Sequence, residues 1–162
     1  MISLVRVDDR LLHGQIICAW VPYVKADALV IASDEAAADS VAREVMSSCA
    51  YKGLRVDVDT IEEVVRDAAS GKTNGARVIL IVGGLKDAMR VYEDGVKFST
   101  LNIGNIHHNG DGGRAIAPSV IIDGDDERLI ERFISMGVII DIRDVPASSP
   151  VKYVTGKRKD AQ

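Results

Sequence analysis

Short apolar runs alternate with stretches of helical spacing along the whole chain. Ile2–Val7 reads as a strand. Ala28–Ala32 (ALVIA) and Arg77–Val82 (RVILIV) read as strands covered on both faces, because such a run leaves no side for water. Leu54–Val58, Ser99–Ile103 and Val138–Arg143 complete the strand set. Between them the spacing predicts helices. One covers Gly14–Tyr23 and closes near Pro22. A second starts at Asp34 and runs to about Cys49, with Ala37, Val41 and Val45 spaced by four. A third follows a capping box at Thr60 and Glu63, with Ile61, Val64, Val65 and Ala68 at i, i+3, i+4 and i+7 and a stop at Gly71. Leu85, Ala88, Met89 and Tyr92 mark a fourth, ended by Gly95. Leu129, Ile130 and Phe133 mark the last, ended by Gly137. Ala115–Ile122 is expected to be extended, with Pro118 at an edge or a bulge.

Strands and helices alternating at this interval make right-handed βαβ units. The expected fold is α/β: one domain over residues 1–162, with the tail after about 147 the least patterned part. It has an open, mainly parallel twisted sheet, helices on both faces, and an antiparallel edge strand near the C-terminus. Ligands of such sheets bind beyond the carboxyl ends of the strands. That directs attention to the loops after Val7, Ala32, Val82 and Ile103.

Composition narrows the choice of chemistry. The chain has 162 residues, 47% hydrophobic and 27% charged, with a formal net charge of −4. A mildly acidic protein has no general field for gathering nucleic acid. Apolar runs such as Val78–Val82 fall far short of the roughly 20 residues a membrane span needs. Arg6, Asp8, Asp9 and Arg10 stand where a signal peptide would need apolar residues, so a cytoplasmic location is expected. Cys18 and Cys49 lack metal-ligand spacing and are expected to be small buried hydrophobes.

The loop after the first strand reads Asp8-Asp9-Arg10-Leu11-Leu12-His13-Gly14-Gln15. Neutral imidazole is a nucleophile near neutral pH. The planar fork of Arg10 suits a phosphoryl group. Gly14 permits close approach, and backbone N–H groups at the following helix start form an anion site. Either Asp8 or Asp9 could hold one ring nitrogen of His13 and fix its tautomer, facing away from the phosphoryl group. The plainer reading makes the two aspartates turn and capping residues with Arg10 as their surface partner. A further alternative is a receiver-like module phosphorylated on Asp8 or Asp9 with Mg²⁺. Elsewhere, Ser33 and Asp34 read as a helix start and Gly83-Gly84 as a tight turn able to donate N–H groups. His107 lies near the ligand edge, while His107 and His108 make a poor metal pair. Trp20, the sole tryptophan, reads as a core anchor, and the Lys157–Lys159 run as a solvated tail.

The segment Arg6–Gln15 with Trp20 resembles the active-site loop of the IIB component of the mannose/fructose/sorbose family of bacterial sugar phosphotransferase systems. Further blocks resemble the family in order: Ser33-Asp34-Glu35 with Ala38-Asp39, Gly83-Gly84-Leu85, Leu101–His107 (LNIGNIH) and Gly137–Pro146 (GVIIDIRDVP). The resemblance implies that His13 accepts a phosphoryl group, on Nδ1, from a phosphohistidine of a IIA partner. The group then passes to a sugar imported by membrane IIC and IID components, which place the chain at the inner face of the membrane. Arg10, Gly14 and Gln15 would bind the phosphate, with Arg6, Asp8 and Asp9 supporting the loop. Ser33, Asp34, Gly83, Gly84 and His107 would line the groove. No metal or organic cofactor is implied, and a homo-oligomer is compatible. The chain departs from the family pattern at Ser47–Tyr51 and in the glycine-rich Asn109–Gly113 loop.

Overall fold

The computed structural model describes residues 1–108 and 112–156. Most of the Asn109–Gly113 loop and the Lys157–Lys159 run lie outside these residues. Six strands form one parallel sheet in the order β3-β2-β4-β1-β5-β8: β1 Ile2–Asp8, β2 Ala28–Ala32, β3 Arg55–Asp59, β4 Val78–Val82, β5 Thr100–Asn105 and β8 Ile139–Ile142. β6 (Arg114–Ala117) and β7 (Val120–Ile122) pair antiparallel as a separate hairpin. The expected single extended run Ala115–Ile122 therefore folds back on itself, because Pro118 and Ser119 make the turn between its halves. β8 runs parallel to β5. The antiparallel edge near the C-terminus reduces to one bridge between Ile142 and Val151.

Side chains of the central strands alternate between two cores. Leu29, Ile31, Ile79 and Ile81 meet Ile16, Trp20 and Met46 on one face. Ala28, Val30, Val78 and Leu80 meet Ile61, Val64, Leu85, Ile130 and Phe133 on the other. The second face carries α4 (Ile61–Ala69), α5 (Leu85–Glu93) and α6 (Gly124–Ser135). The first carries a π-helical turn, Ile16–Trp20, then α1 (Val21–Val24), α2 (Asp34–Ala38) and α3 (Ser40–Ser47). The chain leaves β1 toward β2 and leaves β4 toward β5, so the winding direction changes between these two neighbours.

Three local expectations differ. Pro22 does not close its helix. The Val21 N–H reaches back to Ile16 O in the wider turn, and Pro22, lacking an N–H, sits at the start of α1, which ends at Lys25 with φ 55°. The helix from Asp34 to Cys49 breaks at Asp39, whose extended backbone ends α2 while its carboxylate caps Val41 and Ala42 of α3. The break turns Val41 and Val45 out to solvent. Cys18 is exposed and Cys49 half-buried, so neither is the buried hydrophobe expected. Trp20 is buried, as a core anchor should be.

Candidate active site

Alternation along β1 places Val5 and Val7 in the core beneath α5, and Arg6 and Asp8 on the opposite face, the side of Trp20. β5 repeats the pattern, with Leu101 and Ile103 on the first side and Asn102 and Gly104 on the second. Register sets Arg6 beside Asn102, and Asn102 beside Asp141. A polar row thus crosses the three neighbouring strands β1, β5 and β8.

Arg6 and Asp8 are both fully buried. Arg6 donates to Asp8 Oδ2 from Nη2 at 2.9 Å and Nε at 3.2 Å, and to Asn102 Oδ1 from Nη1 at 2.6 Å. Its guanidinium lies 5.3 Å from the centre of the Trp20 ring. A Cβ at position 104 would overlap that guanidinium, so only glycine fits there. The Asn102 amide donates onward to the carbonyls of Asp141 and Arg143. Burial pulls the Arg6 guanidinium below its ordinary pKa, opposed by the adjacent Asp8 charge.

Asp8 gathers three side chains. Besides Arg6, Arg10 donates from Nε to Oδ1 at 3.2 Å, and His13 Nε2 lies 2.8 Å from Oδ2. Burial alone would raise the carboxyl, but His13, Arg6 and Arg10 together outweigh it and hold it below the usual carboxylate range. An ionised carboxylate only accepts. The hydrogen between Asp8 and His13 therefore sits on Nε2, and Nδ1 of neutral His13 keeps its lone pair. The His13 side chain is 18% exposed, at the rim of the sheet immediately before the first helical residue, Gly14.

Asp9 points elsewhere. It accepts from Asn105 Nδ2 and from the His107 backbone N–H at 2.7 Å, tying the loop to β5. Gln15 accepts from Arg10 Nη2 at 3.2 Å, so it touches that arginine. A groove of about 390 Å³ opens beside the loop, lined by Asp9, Arg10, Leu11, Leu12, Ser33 and Met46 among others. Ser33 reaches it while capping α2. Asp34 does not; it binds the Ile61 N–H and Arg90. Gly83 lies under the Leu11 side chain and Gly84 starts α5. His107 is half-exposed and 3.6 Å from Asp9, whereas His108 turns to Asp126 at 2.5 Å. His108, Asp123 and Asp126 bring their ligand-type atoms within 4.8 Å of one another, and both carboxylates also form the capping box of α6.

Residue reasoning found Asp8, Arg10 and His13, and the resemblance added Arg6, but neither set Asn102, Gly104 or Arg143 beside Arg6. The first two carry a signal: polar and small residues at alternate positions of a buried strand, in phase with Arg6 and Asp8.

These features define a class: α/β proteins that present one histidine, braced by a buried carboxylate, at the carboxyl edge of a parallel sheet. Residues 2–160 match the family described as PTS system sorbose subfamily IIB component. The sorbose-specific EIIB component of Klebsiella pneumoniae is 30% identical over 156 residues, 96% of this chain and 94% of that protein. The mannose-specific EIIAB component of Escherichia coli K12 is 28% identical over 95% of this chain, which spans about half (47%) of that longer relative. Among solved structures, the N-acetylgalactosamine-specific IIB component 1 of Escherichia coli superimposes with a TM-score of 0.88 at 26% identity, covering 95% of this chain and 100% of that one. The chain belongs to the sorbose-subfamily IIB components of the sugar phosphotransferase system. No helix among the described residues is long and apolar enough to cross a membrane.

Proposed function

We propose that His13 is a phosphoryl acceptor and donor. Its Nδ1 lone pair attacks the phosphorus of a phosphohistidine on a IIA partner. The donor's P–N bond breaks, and its electron pair returns to the donor imidazole. In the second step a sugar hydroxyl oxygen, brought by membrane IIC and IID partners, attacks the same phosphorus. The bond to Nδ1 breaks, its pair returns to His13, and the hydroxyl proton passes to water. The observation that carries this reading is the 2.8 Å contact between His13 Nε2 and buried Asp8, which leaves Nδ1 free.

Phosphoryl transfer is mostly positioning and charge stabilisation. Attack through Nδ1 with Nε2 still protonated makes the ring cationic, and the Asp8 carboxylate opposes that charge. Arg10, 44% exposed and three residues from His13, supplies the charge-assisted hydrogen bonds to the phosphoryl group, about 1.5–3 kcal/mol each. Asp8 has no exposed surface, so it offers no accessible acceptor for the acyl-phosphate alternative, while the partly exposed Asp9 carboxylate is engaged by Asn105 and the His107 N–H.

Incubating the chain with its phosphorylated IIA partner should add one phosphoryl group, located on His13 by mass spectrometry. The product should be stable to alkali and labile to acid. His13→Ala should fold and remain unmodified. Labelling of His13→Ala at the parent's rate, or an alkali-labile, Mg²⁺-dependent product, would falsify the assignment.

A further inference from the structure

We infer that Arg6 is a positioning residue: as the permanent counterion of Asp8, it frees Arg10 to leave that carboxylate for the phosphoryl group. The inference rests on the transfer proposed at His13.

Two guanidiniums share one carboxylate, and their surroundings differ. Arg6 has no exposed side-chain surface. It is held by Asp8, by Asn102, by the Arg143 carbonyl at 3.4 Å, and by the Trp20 face, and Gly104 leaves it just enough room. Arg10 is 44% exposed, and its side-chain bonds are long: 3.2 and 3.4 Å to Asp8 and 3.2 Å to Gln15. One cation balances one anion, so the second arginine is surplus until a dianionic phosphoryl group arrives. When the Arg10 side chain departs, Asp8 Oδ1 keeps the Arg10 backbone N–H at 3.1 Å, and Oδ2 keeps Arg6 and His13. Without Arg6 the situation reverses. Leaving would strip a buried carboxylate of its only guanidinium, so Arg10 would stay pinned.

Two experiments test this. The first measures phosphorylation rates by the phosphorylated IIA partner for Arg6→Met, Arg10→Gln and the double variant. Arg6→Met should slow the parent about tenfold and slow the Arg10→Gln background by much less, because no arginine remains there to be released. An equal loss in both backgrounds overturns the inference, because a merely structural role for Arg6 does not depend on Arg10. Since removing a buried guanidinium can unfold the chain, the second experiment uses the unaltered protein. With arginine labelled in ¹⁵N, the Arg10 Nε–H signal should move on phosphorylation while that of Arg6 stays in place. If His13 carries phosphate but Arg10 is static, or Arg6 moves, this inference alone fails. If His13 carries none, the transfer reading fails and takes the inference with it.

Discussion

At the scale of single residues, the proposed transfer turns on Asp8. It has no exposed surface, and its carboxylate accepts from Arg6 and Arg10 and lies 2.8 Å from His13 Nε2. Asp8→Asn leaves Arg6 buried without a counter-charge, which should destabilise the fold by about 3–5 kcal/mol. Denaturant unfolding measures that loss, and histidine ¹⁵N shifts should show mixed ring tautomers in the variant. Arg10→Lys keeps the charge but loses the fork, so transfer should slow by roughly an order of magnitude with little change in stability, read as a rate against an unfolding curve. Equal rates for the two proteins would remove the guanidinium geometry from the mechanism. The same loop holds Leu11 at φ 56°, a conformation that disfavours L side chains, with the Leu11 N–H on Asp8 O at 2.9 Å. Packing of Leu11 against the core near Trp20 offsets that cost.

At the scale of elements, most boundaries follow from local chemistry. The Thr60–Glu63 capping box was legible in four letters and forms as expected, with the Thr60 N–H 2.9 Å from Glu63 Oε2. Thr60→Ala should cost about 1 kcal/mol, measured as a shift in the denaturant midpoint with an unchanged slope. The break at Asp39 was not legible. Ala37, Val41 and Val45 carry helical spacing, but spacing does not register a cap that satisfies the next helix from inside the same run. Gly104 shows the same limit in a strand. Its sequence context allows any small residue, yet the space above it is filled by an arginine nearly 100 positions earlier in the chain.

At the scale of the whole molecule, two buried or half-buried groups give stability opposite pH slopes. The folded chain holds the Asp8 carboxyl below its ordinary 3.8, through donors that outweigh burial. Its contribution is therefore complete above about pH 3.8 and disappears as pH falls through the lower folded value. His108 is raised above 6.5, chiefly by its hydrogen bond to Asp126. Its contribution is complete below pH 6.5 and is lost as pH rises through the raised value. Urea midpoints across pH should fall at both ends, and His108→Gln should flatten only the upper limb. A slope there that survives the substitution would assign the effect to another group.

The sequence by itself determined the alternation of strands and helices, the parallel sheet and the loop that carries His13, because each depends on residues close together in the chain. Apolar periodicity and caps act over one or two turns, and a D-D-R-x-x-H-G-Q run is read directly. Only the tertiary structure decided that Asp8 rather than Asp9 braces the imidazole, that Arg6 is interior, and that Asn102 and Gly104 enclose it. Those choices depend on strand order and register, which bring β1, β5 and β8 side by side. Burial then forces each polar group to find a partner across the sheet.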